Sequence, residues 1–120
     1  MRGSERAVCA RDSARTQQIA QLNDTLRKTG RGGAILVTRG VRALPEFDPV
    51  QLMEALGAFD AFDLENDPYG ERDFGDVEFN GVSLLWKIDY YDSDMRFASP
   101  DPANPLVTKR VCTVMQPEDW

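Results

Sequence analysis

The pair Asn80-Gly81 stands between two runs of alternating residues, "DFGDVEF" and "VSLLWKIDYY", and no other feature of the sequence narrows the fold so far. Both central residues of a type I′ turn need positive φ, which Asn and Gly tolerate, and that turn matches the twist of the strands it joins. A two-residue hairpin is therefore predicted, with Phe79 opposite Val82, Val77 opposite Leu84 and Gly75 opposite Trp86. In this register Val77, Phe79, Val82, Leu84, Trp86, Ile88 and Tyr90 share the core face. The other face carries Asp76, Glu78, Ser83, Lys87 and Asp89, with Phe74, Leu85 and Tyr91 among them.

The rest of the chain supplies partners for that hairpin. Residues 1 to 11 are polar, arginine-rich and aperiodic, which suggests a flexible leader, and residues 12 to 120 form a single domain. From Asp12 or Ser13 to Thr29, Ile19, Leu22 and Leu26 recur at helical spacing, and Gly30 provides the stop. "AILVTRG" reads as a buried strand. Asp48-Pro49 is an N-cap and first-turn pair that opens a second helix with Leu52, Met53, Leu56 and Phe59 on one stripe. After a proline-interrupted segment, "LVTKRVCTVM" gives a last strand whose edge, beyond residue 109, offers a place for two copies to pair. The order α-β-α-β-β-β, closing with local hairpins, implies an α+β fold in which two helices pack on one face of a mainly antiparallel sheet.

The composition excludes several chemistries. The chain has no histidine, which removes the usual general base, the commonest neutral metal ligand and the His-activated nucleophile. No apolar run approaches the roughly 20 residues needed to cross a bilayer, and no signal peptide is legible, so a cytoplasmic protein is expected. Cys9 and Cys112 are then expected as free thiols, the latter as a small apolar strand residue. Charge is unevenly spread. Residues 1 to 59 hold nine basic and six acidic side chains, whereas residues 60 to 101 hold three basic and twelve acidic ones. The acidic third repels phosphate and attracts basic surfaces. Arg2, Arg6, Arg11, Arg15, Arg27 and Arg31 offer an alternative contact to nucleic acid, without the interleaved aromatics that such surfaces favour.

The densest acidic stretch, "NDPYGERDFG" at residues 66 to 75, raises the question of chemistry against a turn. Starting an EF-hand at Asp63 places Gly70 two positions late and Phe74 at the twelfth position, so that loop is excluded. A metal-dependent nuclease wants Asp or Glu two residues before Lys87, where Leu85 stands. Two-carboxylate hydrolysis by some pair among Asp76, Glu78, Asp89 and Asp92 stays open, as does a small carboxylate or divalent-metal enzyme built on residues 63 to 76. The simpler reading is a turn in which Pro68 and Gly70 bend the chain and Asn66 or Asp67 caps it. "TGRGG" runs from helix to strand, the reverse of a phosphate loop, and reads as a helix C-cap. No cofactor, catalytic residue or metal ligand is assigned. The expected interaction surface consists of Glu65, Asp67, Glu71, Asp73, Asp76, Glu78, Asp92 and Asp94, with Tyr91 as the aromatic anchor.

The segments "LNDTLRKTGRGG", "VTRGV", "FDAFDLENDPYGERDFG" and "LLWKIDYYDSDMRFASPDPANPLVTKRV" together resemble the DUF3768 family over about residues 19 to 118. The resemblance implies a small stand-alone proteobacterial protein of the kind carried on plasmids and other mobile regions, and it brings no catalytic residues. Combined with the acidic stretch, it implies a non-enzymatic interaction protein that faces a basic partner. One such role is a DNA-mimic-like inhibitor of host defence, of the anti-CRISPR or anti-restriction kind.

Overall fold

A computed structural model describes the backbone of residues 2–120 and the side chains of residues 13–120. The expected leader, residues 1 to 11, and Cys9 within it lie outside the described side chains. The elements are helix α1 (Arg2–Thr29), strand β1 (Gly33–Val37), the short helix α2 (Arg39–Arg42), helix α3 (Pro49–Ala58), strands β2 (Phe74–Phe79), β3 (Val82–Tyr91) and β4 (Lys109–Met115), and a terminal 3₁₀ turn (Pro117–Asp119). The four strands form one sheet in the order β1-β4-β3-β2, parallel between β1 and β4 and antiparallel elsewhere. This is an α+β fold with a mostly antiparallel sheet, and the strand order corrects one expectation. β4 is central, hydrogen-bonded on both sides, so the free edges belong to β1 and β2 rather than to the strand after residue 109.

Local signals behave as their chemistry requires. Asn80 and Gly81 adopt φ of 52° and 80°, and the hairpin pairs Phe79 with Val82, Val77 with Leu84 and Gly75 with Trp86. Gly30, at φ 77°, closes α1 by donating its N–H to the Leu26 carbonyl. The Asp48 carboxylate accepts the N–H of Val50 at 2.9 Å and starts α3. The two short elements, α2 and the terminal 3₁₀ turn, carry no periodic apolar pattern that would announce them. Val41 in α2 is nonetheless fully buried.

One face of the sheet meets α1 and α3 through Ile35, Val37, Leu84, Trp86, Ile88, Cys112 and Val114, against Leu26, Leu52 and Leu56. Trp86 lies at the centre, with Phe59 and Phe62 edge-on to it at centroid distances of 5.7 and 6.0 Å. Gly75 makes room for this ring. A Cβ there would stand 2.7 Å from Trp86 Cζ2 and 2.8 Å from Phe59 Cε1. The opposite face is partly covered by the C-terminus, where the Trp120 ring meets Phe74 at 4.8 Å and Lys87 at 5.8 Å.

Arg27 is the least expected member of the core. Its side chain is 1% exposed, and its guanidinium donates to the carbonyls of Leu56, Gly57 and Phe59 and to Asp24. Those carbonyls are the ones that the last turn of a helix leaves without intrahelical partners. Arg27 therefore caps α3 from α1. It takes no part in a phosphate-binding surface, which corrects that alternative at this residue.

Candidate functional site

The segment between α3 and β2 follows from its own side chains. Asp63 Oδ1 accepts the N–H groups of Glu65 and Asn66, and the Asp63 N–H in turn donates to Asn66 Oδ1. Asp67 Oδ1 accepts the N–H of Arg72 at 2.9 Å across a bend where Gly70 and Arg72 have φ of 75° and 57°. Asp and Asn favour such turns because their short side chains replace backbone partners. "NDPYGERDFG" is thus first of all a self-capped bend that delivers the chain into β2.

Behind this bend lies a polar network. Asn23, fully buried on α1, donates to the Glu71 carbonyl at 3.0 Å and to the Tyr90 hydroxyl at 2.8 Å. Tyr90 in turn donates to Glu71 Oε1 at 2.9 Å. Arg110 Nε donates to Asn23 Oδ1 at 2.9 Å, another of its nitrogens donates to the Pro102 carbonyl, and its guanidinium lies over the Tyr90 ring. Burial pushes the Tyr90 hydroxyl well above its usual pKa and the Arg110 guanidinium below its own. Asp73 is raised to about 6, mainly by burial and then by the neighbouring Glu71 charge. Such a network rigidifies the junction of α1, β3 and β4 because nearly every polar group in it finds a partner.

The nine expected surface residues divide accordingly. Glu65, Asp76, Glu78 and Asp94 are exposed, and none of them enters an ion pair among the described residues. Asp67 is only 9% exposed, and Glu71 and Asp73 are half-buried with the network. Asp92 is half-buried and caps its own loop by accepting the N–H of Arg96. Tyr91 is half-buried and bridges to Ala98, whereas Tyr69 stands exposed. Tyr69 and the exposed Leu64 border a groove of about 510 Å³ whose far wall is Ser13, Thr16 and Gln17 of α1. Among the described residues no group of three or more Cys, Asp or Glu side chains is arranged to hold a metal ion.

Asn23, Arg27 and Arg110 were missed as interior residues. The first two carry a readable signal, because positions 19, 23, 26 and 27 continue one helical stripe through polar side chains. Arg110 offers a weaker one, since β-alternation with Cys112 and Val114 points it toward the helices.

The strand order and helix placement define a small α+β domain with a polar core junction and charged margins. The chain belongs to the family described as "Protein of unknown function (DUF3768)", whose model matches residues 37–119. The match begins at the end of β1, so the resemblance in "LNDTLRKTGRGG" lies outside it. No curated protein and no solved structure matches the chain. Among the described residues no helix is long and apolar enough to cross a membrane.

Proposed function

We propose that the protein is a non-enzymatic interaction module whose acidic β2 side occupies a basic surface of a partner protein. One observation carries the reading: Glu65, Asp76 and Glu78, on the segment that leads into and through the β2 edge, are exposed and unpaired among the described residues, as is Asp94 in the loop after β3. Unpaired exposed carboxylates keep their full field for a partner, and such a field accelerates encounter and selects against phosphate. In its finer form, the partner is a host protein that handles nucleic acid in defence, and the carboxylates stand in for backbone phosphates. That form is an inhibitor of the anti-CRISPR or anti-restriction kind, encoded on a mobile element. Cytoplasmic residence belongs to the same proposal.

The test is capture from host lysate by wild-type protein and by the quadruple variant E65K/D76K/E78K/D94K, at low and at high salt. A nucleic-acid-handling protein retained by wild type, lost at high salt and lost by the folded variant supports the reading. Equal capture by both forms overturns it.

A carboxylate enzyme is favoured by one observation, the raised Asp73 beside Glu71. Glu71 is already engaged by Tyr90, which leaves Asp73 to act alone. This second reading predicts that Asp73→Asn alone abolishes an activity, where the interaction reading predicts graded loss over several exposed residues.

A further inference from the structure

The two free edges of the sheet are not alike. β2 is guarded by the exposed charges of Asp76 and Glu78, the usual protection against unwanted strand pairing. β1, "GAILV", has neither a charge nor a proline, and Leu36 is 55% exposed. Its hydrogen-bond parity is fixed by the ladder. Thr38 donates to the Val114 carbonyl at 3.0 Å, and the two-residue repeat of a parallel pair then assigns Ala34 and Leu36 to β4. The N–H and C=O groups of Gly33, Ile35 and Val37 point outward, and none has a partner among the described residues. Exposed arginines mark both ends of this strand, Arg31 before it and Arg39 and Arg42 after it, with Lys109 beside its start. None of these four side chains makes an ion pair or hydrogen bond among the described residues.

The geometry points to β1 as a docking edge for an extended segment of a partner protein, added as a fifth strand, with apolar residues in the middle and acidic residues at its ends. The outward backbone groups supply the pairing, and side chains at alternate positions supply selection. The arginines decide the kind of occupant. A second copy laid antiparallel along β1 would bring Arg31 of one chain against Arg39 of the other, and like charges oppose that pairing. An acid-flanked segment meets cations at both ends. This site is separate from the acidic β2 side, so either proposal can fail without the other.

The experiment uses the full chain and two synthetic peptides of alternating valine and threonine, one flanked by aspartates and one by lysines. Amide exchange is followed residue by residue. With the aspartate-flanked peptide, exchange at Gly33, Ile35 and Val37 is expected to slow by about tenfold or more. The lysine-flanked peptide gives no protection. The variant R31E/R39E/R42E alters side chains without internal bonds and is expected to weaken the acidic peptide about tenfold, as three exposed charge contacts together would. Ile35→Pro removes one outward N–H without breaking the β1–β4 ladder and is expected to lose the protection, with folding checked by circular dichroism. Three results would overturn the proposal: no protection by the acidic peptide, slow exchange in the free protein that quickens on dilution, or binding of a DNA oligonucleotide through the same arginines without protection of the β1 amides. The second of these would mark a dimer and the third a nucleic-acid surface.

Discussion

Arg27 donates to the carbonyl oxygen of Leu56 at 2.6 Å, and this bond ties the end of α1 to the end of α3. The same guanidinium reaches Phe59 at 2.7 Å and packs 5.2 Å from the Trp86 ring centroid. Arg27→Met keeps much of the volume but leaves the helix-end carbonyls and the Asp24 contact without their donor. Urea unfolding should show a loss of about 3 kcal/mol, the scale of breaking a buried charged network. Arg27→Lys, with a point charge in place of a planar fork, should recover only part of that loss.

Gly75 is fixed by contact rather than by backbone conformation. A methyl group there enters the space of Trp86 and Phe59, so Gly75→Ala should cost about 1–3 kcal/mol through overpacking. The tryptophan emission of the folded variant should shift as the ring moves. An unchanged spectrum with unchanged stability would show that the strand relaxes away from the ring.

Asp73 gives the fold a pH dependence of defined sign. Its carboxyl is raised from 3.8 to about 6, so between those values the folded chain binds more protons than the unfolded one. Stability therefore falls as pH rises through that window, and the loss is complete above about pH 6. Asp73→Asn removes the ionisable group and should raise the melting temperature at pH 7.5. The gain should disappear near pH 4, where wild type is already neutral at this position.

The Tyr90 hydroxyl both accepts from Asn23 and donates to Glu71. Tyr90→Phe keeps the ring beneath Arg110 but strands a carboxylate oxygen, at an expected cost of about 1–2 kcal/mol. Glu71→Gln in the Tyr90→Phe background should add less than it does alone, because the two residues share one contact. Denaturant curves for the four members of this cycle would measure that coupling.

What was legible in the sequence was what local chemistry fixes. Asn80-Gly81 sets a turn whose hand and length determine every pair between β2 and β3, and Asp48-Pro49 starts a helix that nothing else needs to specify. The parallel pairing of β1 with β4 joins segments more than seventy residues apart, and no local signal encodes it. That pairing buries the edge of β4 and leaves the free edge at β1. The acidic residues divide for a related reason. Asp67 and Glu65 look alike in sequence, but only the fold brings the Arg72 N–H to one of them and solvent to the other. Periodicity turns Asn23 and Arg110 inward, but the partner each finds there depends on two distant elements meeting.

The acids of this chain fall into two structural groups, caps of the bend and exposed strand charges, and stability separates them. Asp67 carries the bend before β2, so Asp67→Ala should lower stability by about 1 kcal/mol by releasing the Arg72 N–H. Asp76→Lys and Glu78→Lys, on the solvent side of an edge strand, should each stay within about 0.5 kcal/mol of wild type. If these exposed residues form the partner surface, the same two substitutions should lower the association rate and flatten its dependence on salt, because they remove the charges that steer encounter. Stopped-flow association with the captured partner at two ionic strengths would decide the matter. A rate that ignores Asp76 and Glu78 but responds to Asp67 would move the contact from the strand edge to the groove bordered by Tyr69 and Leu64.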